Sequence, residues 1–360
     1  MACSPSRTRH EAGKRMTDWQ SLLGETLRHA EVSRIETGEA VHAYLLVDFR
    51  NRAELAAPIK SSAQVSHGSV WLGTDLAVYG EIAPLLIEID DLTRFELGRD
   101  TDGPYTSELL RLLRRVYEAD GGQFAVTHIL SPMALAELMA HCAYYGDYGL
   151  PDGREYYLHF YDSRILDRAF QVWSEAERER FLAPLTLMRY LRRDGSIAEW
   201  KGGGERELSA AALPAPQPFT LLQHQALLDL DYPDKLALQI RRIYLGVLGD
   251  LRQDELYARV LEQMERAKSY GIETERDMLD YVAWGITIAP RFDEHEAILP
   301  ALRGFRKSGK GLSQALEHVP DAVWDGLMYV EQDRQELASA AKERGVVTLR
   351  QANQERRSDA

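Results

Sequence analysis

A chain of 360 residues, 45% apolar and 28% charged, has the composition of a globular protein and the length of two domains. Its 43 Lys and Arg against 56 Asp and Glu leave a net charge of −13, which opposes nucleic acid or an anionic membrane leaflet as a general partner. Cys3 and Cys142 cannot by themselves build a disulfide framework or a zinc ribbon, and no apolar run approaches the roughly 18 residues of a membrane span.

Residues 1–16 are polar and basic without an apolar core, so they do not make a signal peptide; they read as a disordered leader, or translation starts at Met16. The expected compartment is the cytoplasm. Residues 17–32 read as a helix with Trp19, Leu22, Leu23, Leu27 and Ala30 on one side. The run Ala43–Val47 ends at Asp48, and Leu85–Ile89 ends at Asp90. Continuous apolar runs suit strands covered on both faces, as in a parallel sheet. Phe124–Thr127 is a third strand, and a helix over 107–119 separates it from the second. Ser131 and Pro132 are the expected N-cap and N1 of the next helix, whose inner face is Leu135, Leu138, Met139 and Cys142.

Asp152-Gly153 marks a turn, and Arg154 to Tyr161 alternates like a strand. A helix is expected from within 162–164, and Ser174–Glu177 forms a capping box. Residues 185–191 and 197–200, split by Asp194-Gly195, read as a hairpin. The stretch KGGGERELSAAALPAPQP, residues 201–218, reads as a linker or an extended crossing segment.

Beyond it the chain reads as helical. Leu236, Ile240, Ile243 and Val247 share a face, as do Leu256, Val260, Met264 and Ala267, with Glu262 and Arg266 paired at i,i+4. Tyr270-Gly271 stops that helix, Thr274 opens the next, and a last one runs over 320–344. The expected fold is an α/β N-terminal lobe, with a mostly parallel mixed sheet and flanking helices, followed by an all-α C-terminal lobe. The expected layout is a leader at 1–16, an α/β domain at 17–205, a linker at 206–218, a helical domain at 219–345 and a disordered tail at 346–360.

Candidate chemistry is sparse. GFRKSGKG (304–311) has the glycines and lysine of a phosphate loop but Gly311 where a hydroxyl belongs, and a helical pattern precedes it. Asp293-Glu294-His295-Glu296 lacks the second histidine of a zincin, since that position is Leu299; Asp293 reads as a helix cap. Cys142 and His141 are adjacent on a helix and diverge by about 100°, so they do not pair as nucleophile and base. No G-x-S-x-G elbow occurs. Asp48 and Asp90, at the carboxyl ends of parallel strands, would be placed to hold magnesium for a hydrolase or phosphoryl transferase, and this is the enzyme alternative. Tyr144, Tyr145, Tyr148, Tyr156, Tyr157 and Tyr161 are either lobe core or an interface. No cofactor and no metal is expected.

The segment LPDGREYYLHFYDSRIL (150–166) resembles the signature of the type VI secretion effector-loading adaptors, or type six effector chaperones, encoded beside VgrG spike and effector genes. Asp152, Gly153 and Arg154 match its turn, Phe160, Tyr161 and Asp162 the end of its strand, and Arg164 the segment just after that strand. His141 matches its preceding helix and Asp48 its opening strand; His159 and Ser163 stand where the family has arginine and often proline. AYLLVDFRNRAEL (43–55), residues 69–89 and residues 270–302 resemble further blocks. The resemblance implies a non-enzymatic adaptor and chaperone. Its partners would be a cognate toxin effector and the VgrG spike, and the motif residues would hold the fold rather than catalyse. Export of the protein itself as cargo is a further option.

Overall fold

The computed structural model describes residues 19–38, 40–63, 65–90, 104–119, 121–206, 216–248 and 251–328. The expected leader, the tail, Cys3, most of the 206–218 linker and the end of the 320–344 helix lie outside these residues. The chain divides into two compact units between Asp231 and Tyr232.

The first unit begins with α1 (Trp19–Thr37), β1 (His42–Val47), α2 (Ala53–Ser61) and β2 (His67–Ser69). A 3-10 helix (Asp75–Ile82), β3 (Leu85–Glu88), α3 (Pro104–Glu118) and a second 3-10 helix (Gly122–Ala125) come next. Then come β4 (Val126–Ser131), α4 (Leu135–Tyr144), β5 (Asp147–Gly149), β6 (Glu155–Tyr157), α5 (Ser163–Val172) and α6 (Glu175–Leu182). The hairpin β7 (Leu187–Leu191) and β8 (Ile197–Trp200), a short β9 (Gln217–Pro218) and α7 (Leu221–Ile243) complete the order, with the unit boundary inside α7.

The main sheet has the order β2-β3-β1-β4-β7-β8. Every neighbouring pair for which a register is defined is antiparallel, which corrects the expected mostly parallel sheet. Among the described residues only β5 and β9, in a separate three-stranded sheet, run parallel. The apolar runs arise because helices cover both faces. Tyr44, Leu46, Ile129 and Met188 face a core shared with α4, α5 and α6; Ala43, Leu45, Val47 and Leu130 face one shared with α1, α2 and α3. Burial on both sides removes the polar alternation that normally marks an antiparallel strand. The sequence pattern therefore reports coverage and carries no information on strand direction.

Two local expectations change. Ser131 ends β4 instead of capping α4: its hydroxyl donates to Pro184 O at 2.6 Å and accepts from Met133 N, while Ala134 opens the helix. The strand expected over 154–161 stops at Tyr157. There the chain turns inward, Phe160 N donates to Leu158 O, and the consecutive Phe160 and Tyr161 are both buried. No strand with one solvated face buries two neighbours in sequence.

The glycine run at 202–204 is packed rather than free. Gly204 N donates to Leu185 O and Glu205 N to Ala183 O. A Cβ on Gly202 would sit 1.9 Å from Leu182 O and 2.4 Å from Leu185 O, both backbone atoms. Gly202→Ala is expected to destabilise the protein by about 1–3 kcal/mol, measured by urea unfolding, because the backbone must shift to admit the methyl. At the far end of the stretch Gln217 and Phe219 are buried, and Phe219 N donates to Gly149 O.

The second unit is helical. Beyond α7 it comprises α8 (Leu245–Leu248), α9 (Gln253–Ser269), α10 (Glu275–Thr287), a 3-10 turn (Phe292–Glu294), α11 (Leu299–Ser308) and α12 (Leu312–Ala315), and residues 321–328 are helical. Leu256, Val260, Met264 and Ala267 are buried as expected. The face proposed from Leu236 to Val247 breaks: Leu236 and Ile240 are buried, but the helix restarts after Ile243, leaving Ile243 and Val247 exposed. Arg266 pairs with Asp293 at 2.6 Å and Glu294 at 2.8 Å, not with Glu262. Asp293 is likewise no exposed cap. It is buried, and also accepts the Tyr281 hydroxyl at 2.8 Å. The glycines of GFRKSGKG belong to two helices: Gly304 lies inside α11, Gly309 ends it as a left-handed cap at φ +65°, and Gly311 is the N-cap of α12.

Candidate functional site

Three Asp-x-Arg triplets carry most of the motif residues and fold alike. In Asp48-Phe49-Arg50, Asp48 Oδ1 accepts Arg50 N at 3.0 Å and its Oδ2 accepts the guanidinium at 2.7 Å. In Asp162-Ser163-Arg164 the same bonds measure 3.0 and 2.6 Å. In Asp152-Gly153-Arg154 they measure 3.2 and 2.7 Å. Each carboxylate closes a local turn and takes two guanidinium N–H groups; at Asp48 and Asp162 these reach both oxygens, the strong bidentate form of the pair, whereas at Asp152 both fall on Oδ2. The three differ in burial: Asp48 and Asp162 are buried, whereas Asp152 and Arg154 are exposed. Gly153 supplies φ +84° for the exposed turn.

The two buried triplets meet around Tyr161. The Arg50 guanidinium lies 4.9 Å from the Tyr161 ring centre, and Trp71 Nε1 donates to the Tyr161 hydroxyl at 3.2 Å. His159 Nδ1 also bonds that hydroxyl. Burial and then the Arg50 charge push His159 down to about 4. Burial alone would raise the Asp162 carboxyl; the Arg164 hydrogen bonds and charge outweigh it and hold it below the usual range. Asp162 also caps α5 through Arg164 N, and Ser163 donates to Leu191 O at 2.9 Å, which ties α5 to β7.

His141 and Phe160 serve packing. His141 Nε2 donates to Phe181 O at 2.9 Å, and its ring packs on Tyr145 and Phe181. Phe160 meets Phe181 edge to face. Tyr145, Tyr148 and Tyr161 are core, Tyr144 and Tyr156 half-buried, and Tyr157 exposed. Cys142 is buried and its thiol is pushed up to about 12, which leaves no thiolate for nucleophilic attack.

The Asp48–Asp90 magnesium pair is overturned by topology. Because β1 and β3 are antiparallel, their carboxyl ends lie at opposite edges of the sheet. Asp90 accepts Ala43 N at 2.7 Å, five residues before Asp48, or about 17 Å along the strand. Asp90 belongs instead to a group with His42 and Glu88, whose ligand-type atoms lie within 4.8 Å of one another. Arg34 donates to Asp90 at 2.6 Å and supplies the positive charge a metal would bring, so the donor set suits an ion-pair network.

Beside the Tyr161 cluster opens a cleft of about 130 Å³. Trp71, Tyr156, Tyr157 and Phe160 wall it, and Asp75, Asp147 and Glu155 line it. Residue spacing did not reveal this cleft, because its walls come from three separate segments: 70–76, 142–147 and 155–161. The repeated Asp-x-Arg spacing is the one local signal in the sequence that marks Arg50, a residue not expected at the site.

Residues 43–180 match the family model described as Domain of unknown function (DUF4123). The DUF4123 match starts in β1 and ends in α6, so it takes in all three Asp-x-Arg triplets and the aromatic cleft. It leaves out β7, β8 and the second unit. No curated protein and no solved structure matches the chain. Among the described residues no helix is long and apolar enough to cross a membrane.

Proposed function

We propose that the chain is a non-enzymatic adaptor that holds a cognate toxin effector in the bacterial cytoplasm and helps load it onto the VgrG spike of a type VI secretion system. The observation that carries this reading is the DUF4123 match over residues 43–180, a domain associated with effector adaptor function. The local chemistry is consistent with binding. The motif carboxylates Asp48, Asp152 and Asp162 have their oxygens taken by arginines in the same turns, which suits a scaffold more than a reaction centre. A cleft with aromatic walls is the kind of surface that anchors a protein partner.

Co-expression with the toxin encoded beside its gene is expected to give a stable complex on size-exclusion chromatography and to raise the toxin's soluble yield. Deleting the gene is expected to abolish export of that toxin while leaving export of others intact. Unchanged solubility and unchanged export would overturn the reading.

A further inference from the structure

The aromatic cleft has a composition that specifies what it takes. At about 130 Å³ it falls well below the roughly 300–1,000 Å³ of small-molecule sites, and suits one side chain. Its walls are the faces and edges of Trp71, Tyr156, Tyr157 and Phe160. Asp75, Asp147 and Glu155 converge on the same space, and among the described residues none has an ion pair or a side-chain hydrogen bond. The carboxylates act on one another: burial, then the charges of Glu155 and Asp75, hold Asp147 above its usual range. Close in sequence to the lining residues Trp71, Asp75 and Leu76, three apolar side chains stand in solvent: Leu72 is 69% exposed, Val78 82% and Tyr79 58%, and the 3-10 helix from Asp75 to Ile82 buries none of its residues.

We propose that this cleft is the docking pocket for an arginine side chain of a partner polypeptide, whose flanking apolar residues cover Leu72, Val78 and Tyr79. The charge complementarity is direct: three carboxylates with no ion pair among the described residues line the same space as the aromatic side chains, and Arg154, 6.0 Å from the Tyr156 ring centre, shows that a guanidinium is accepted at its rim. Arginine fits better than lysine, since its planar guanidinium stacks on aromatic rings, forks to carboxylates and is weakly hydrated. The inference rests on the adaptor reading for the identity of the partner and on the cleft alone for the identity of the side chain.

The test uses two acetylated hexapeptides of sequence Ala-Leu-X-Leu-Ala-Ala, with X arginine or its neutral isostere citrulline. Each is titrated into the full chain while the Trp71 indole N–H resonance is monitored. The arginine peptide is expected to shift that resonance saturably, and the citrulline peptide to bind at least about tenfold more weakly, a difference of about 1.4 kcal/mol. Asp147→Asn with Glu155→Gln is expected to remove the discrimination without lowering the melting temperature; Asp75→Asn, at an exposed position, provides a milder second variant. Equal binding of the two peptides, no saturable shift, or discrimination that survives both variants would overturn the assignment. Capture of the co-encoded toxin separates the two claims. Variants that bind toxin as well as the parent does would remove the pocket and leave the adaptor. A parent protein that takes the arginine peptide but no toxin would remove the adaptor and leave the pocket.

Discussion

Asp162→Ala is expected to lower the unfolding free energy by about 3–5 kcal/mol, the range for removing one partner of a buried ion pair. The same change at Asp152 is expected to leave stability unaltered. The two residues sit in triplets of matching design, each accepting the backbone N–H and the guanidinium of the arginine two positions on. Their surroundings decide the outcome. Truncating Asp162 takes the bidentate carboxylate away from the Arg164 guanidinium, which is only 23% exposed and lies 5.3 Å from the Phe124 ring centre. It also strips the cap from α5. Arg154, 59% exposed, simply returns to water when Asp152 is removed. Urea unfolding of the two variants beside the parent makes the comparison. Equal losses at both sites would mean that the turn hydrogen bond dominates; no loss at Asp162 would mean that Arg164 finds other partners.

The contrast also explains what was legible in the sequence. Short-range patterns survived folding: the Ser174 capping box, the Thr274 cap, the Asp194-Gly195 hairpin turn and the left-handed Gly271 are all present. Each is decided within about four residues, where backbone geometry and one side chain suffice. Strand direction was not legible, because the two-sided burial that erases alternation on β1 comes from helices remote in sequence. Nor was the partner of Arg266: the i,i+4 rule offered Glu262, but the buried Asp293, 27 positions away, offers a desolvated carboxylate. The candidate site divides in the same way. Its Asp152-Gly153 turn and the helix start within 162–164 were readable, while the cleft required Trp71, Asp147 and Tyr156 to be brought together by tertiary packing. His159 and Ser163, the two departures from the adaptor signature, both have partners here, in the Tyr161 hydroxyl and Leu191 O.

Mild acid is expected to destabilise the protein before its paired carboxylates titrate, through three histidines that folding keeps neutral: His128, His141 and the half-buried His159. His128 is fully buried. Thr26 donates its hydroxyl proton to Leu22 O at 2.9 Å, so at 3.2 Å from His128 Nδ1 it must accept. The Tyr117 hydroxyl then donates to Nε2 at 2.6 Å. A second ring proton would destroy that bond and leave a buried charge. Burial, with the nearby Arg189 charge, pushes His128 down to about 3, and burial pushes His141 down to about 4 against the Phe181 carbonyl bond. Both folded values lie below the unfolded value of about 6.5, so the unfolded chain binds more protons across that interval and stability falls as pH falls. Between pH 7 and pH 5 His128 and His141 are each expected to remove about 2 kcal/mol, about 4 kcal/mol together, and His159, also held near 4, steepens the same fall. The Asp162 carboxyl, held low by Arg164, adds its own loss only below about pH 4. Urea unfolding at pH 7, 6 and 5 reads the slope. His141→Gln retains an N–H for the Phe181 carbonyl but cannot titrate, and is expected to reduce the slope near pH 5 by about 1.4 kcal/mol per pH unit. A stability that stays level down to pH 5, or a slope unchanged in His141→Gln, would show that these rings are hydrated enough to accept protons in the folded state.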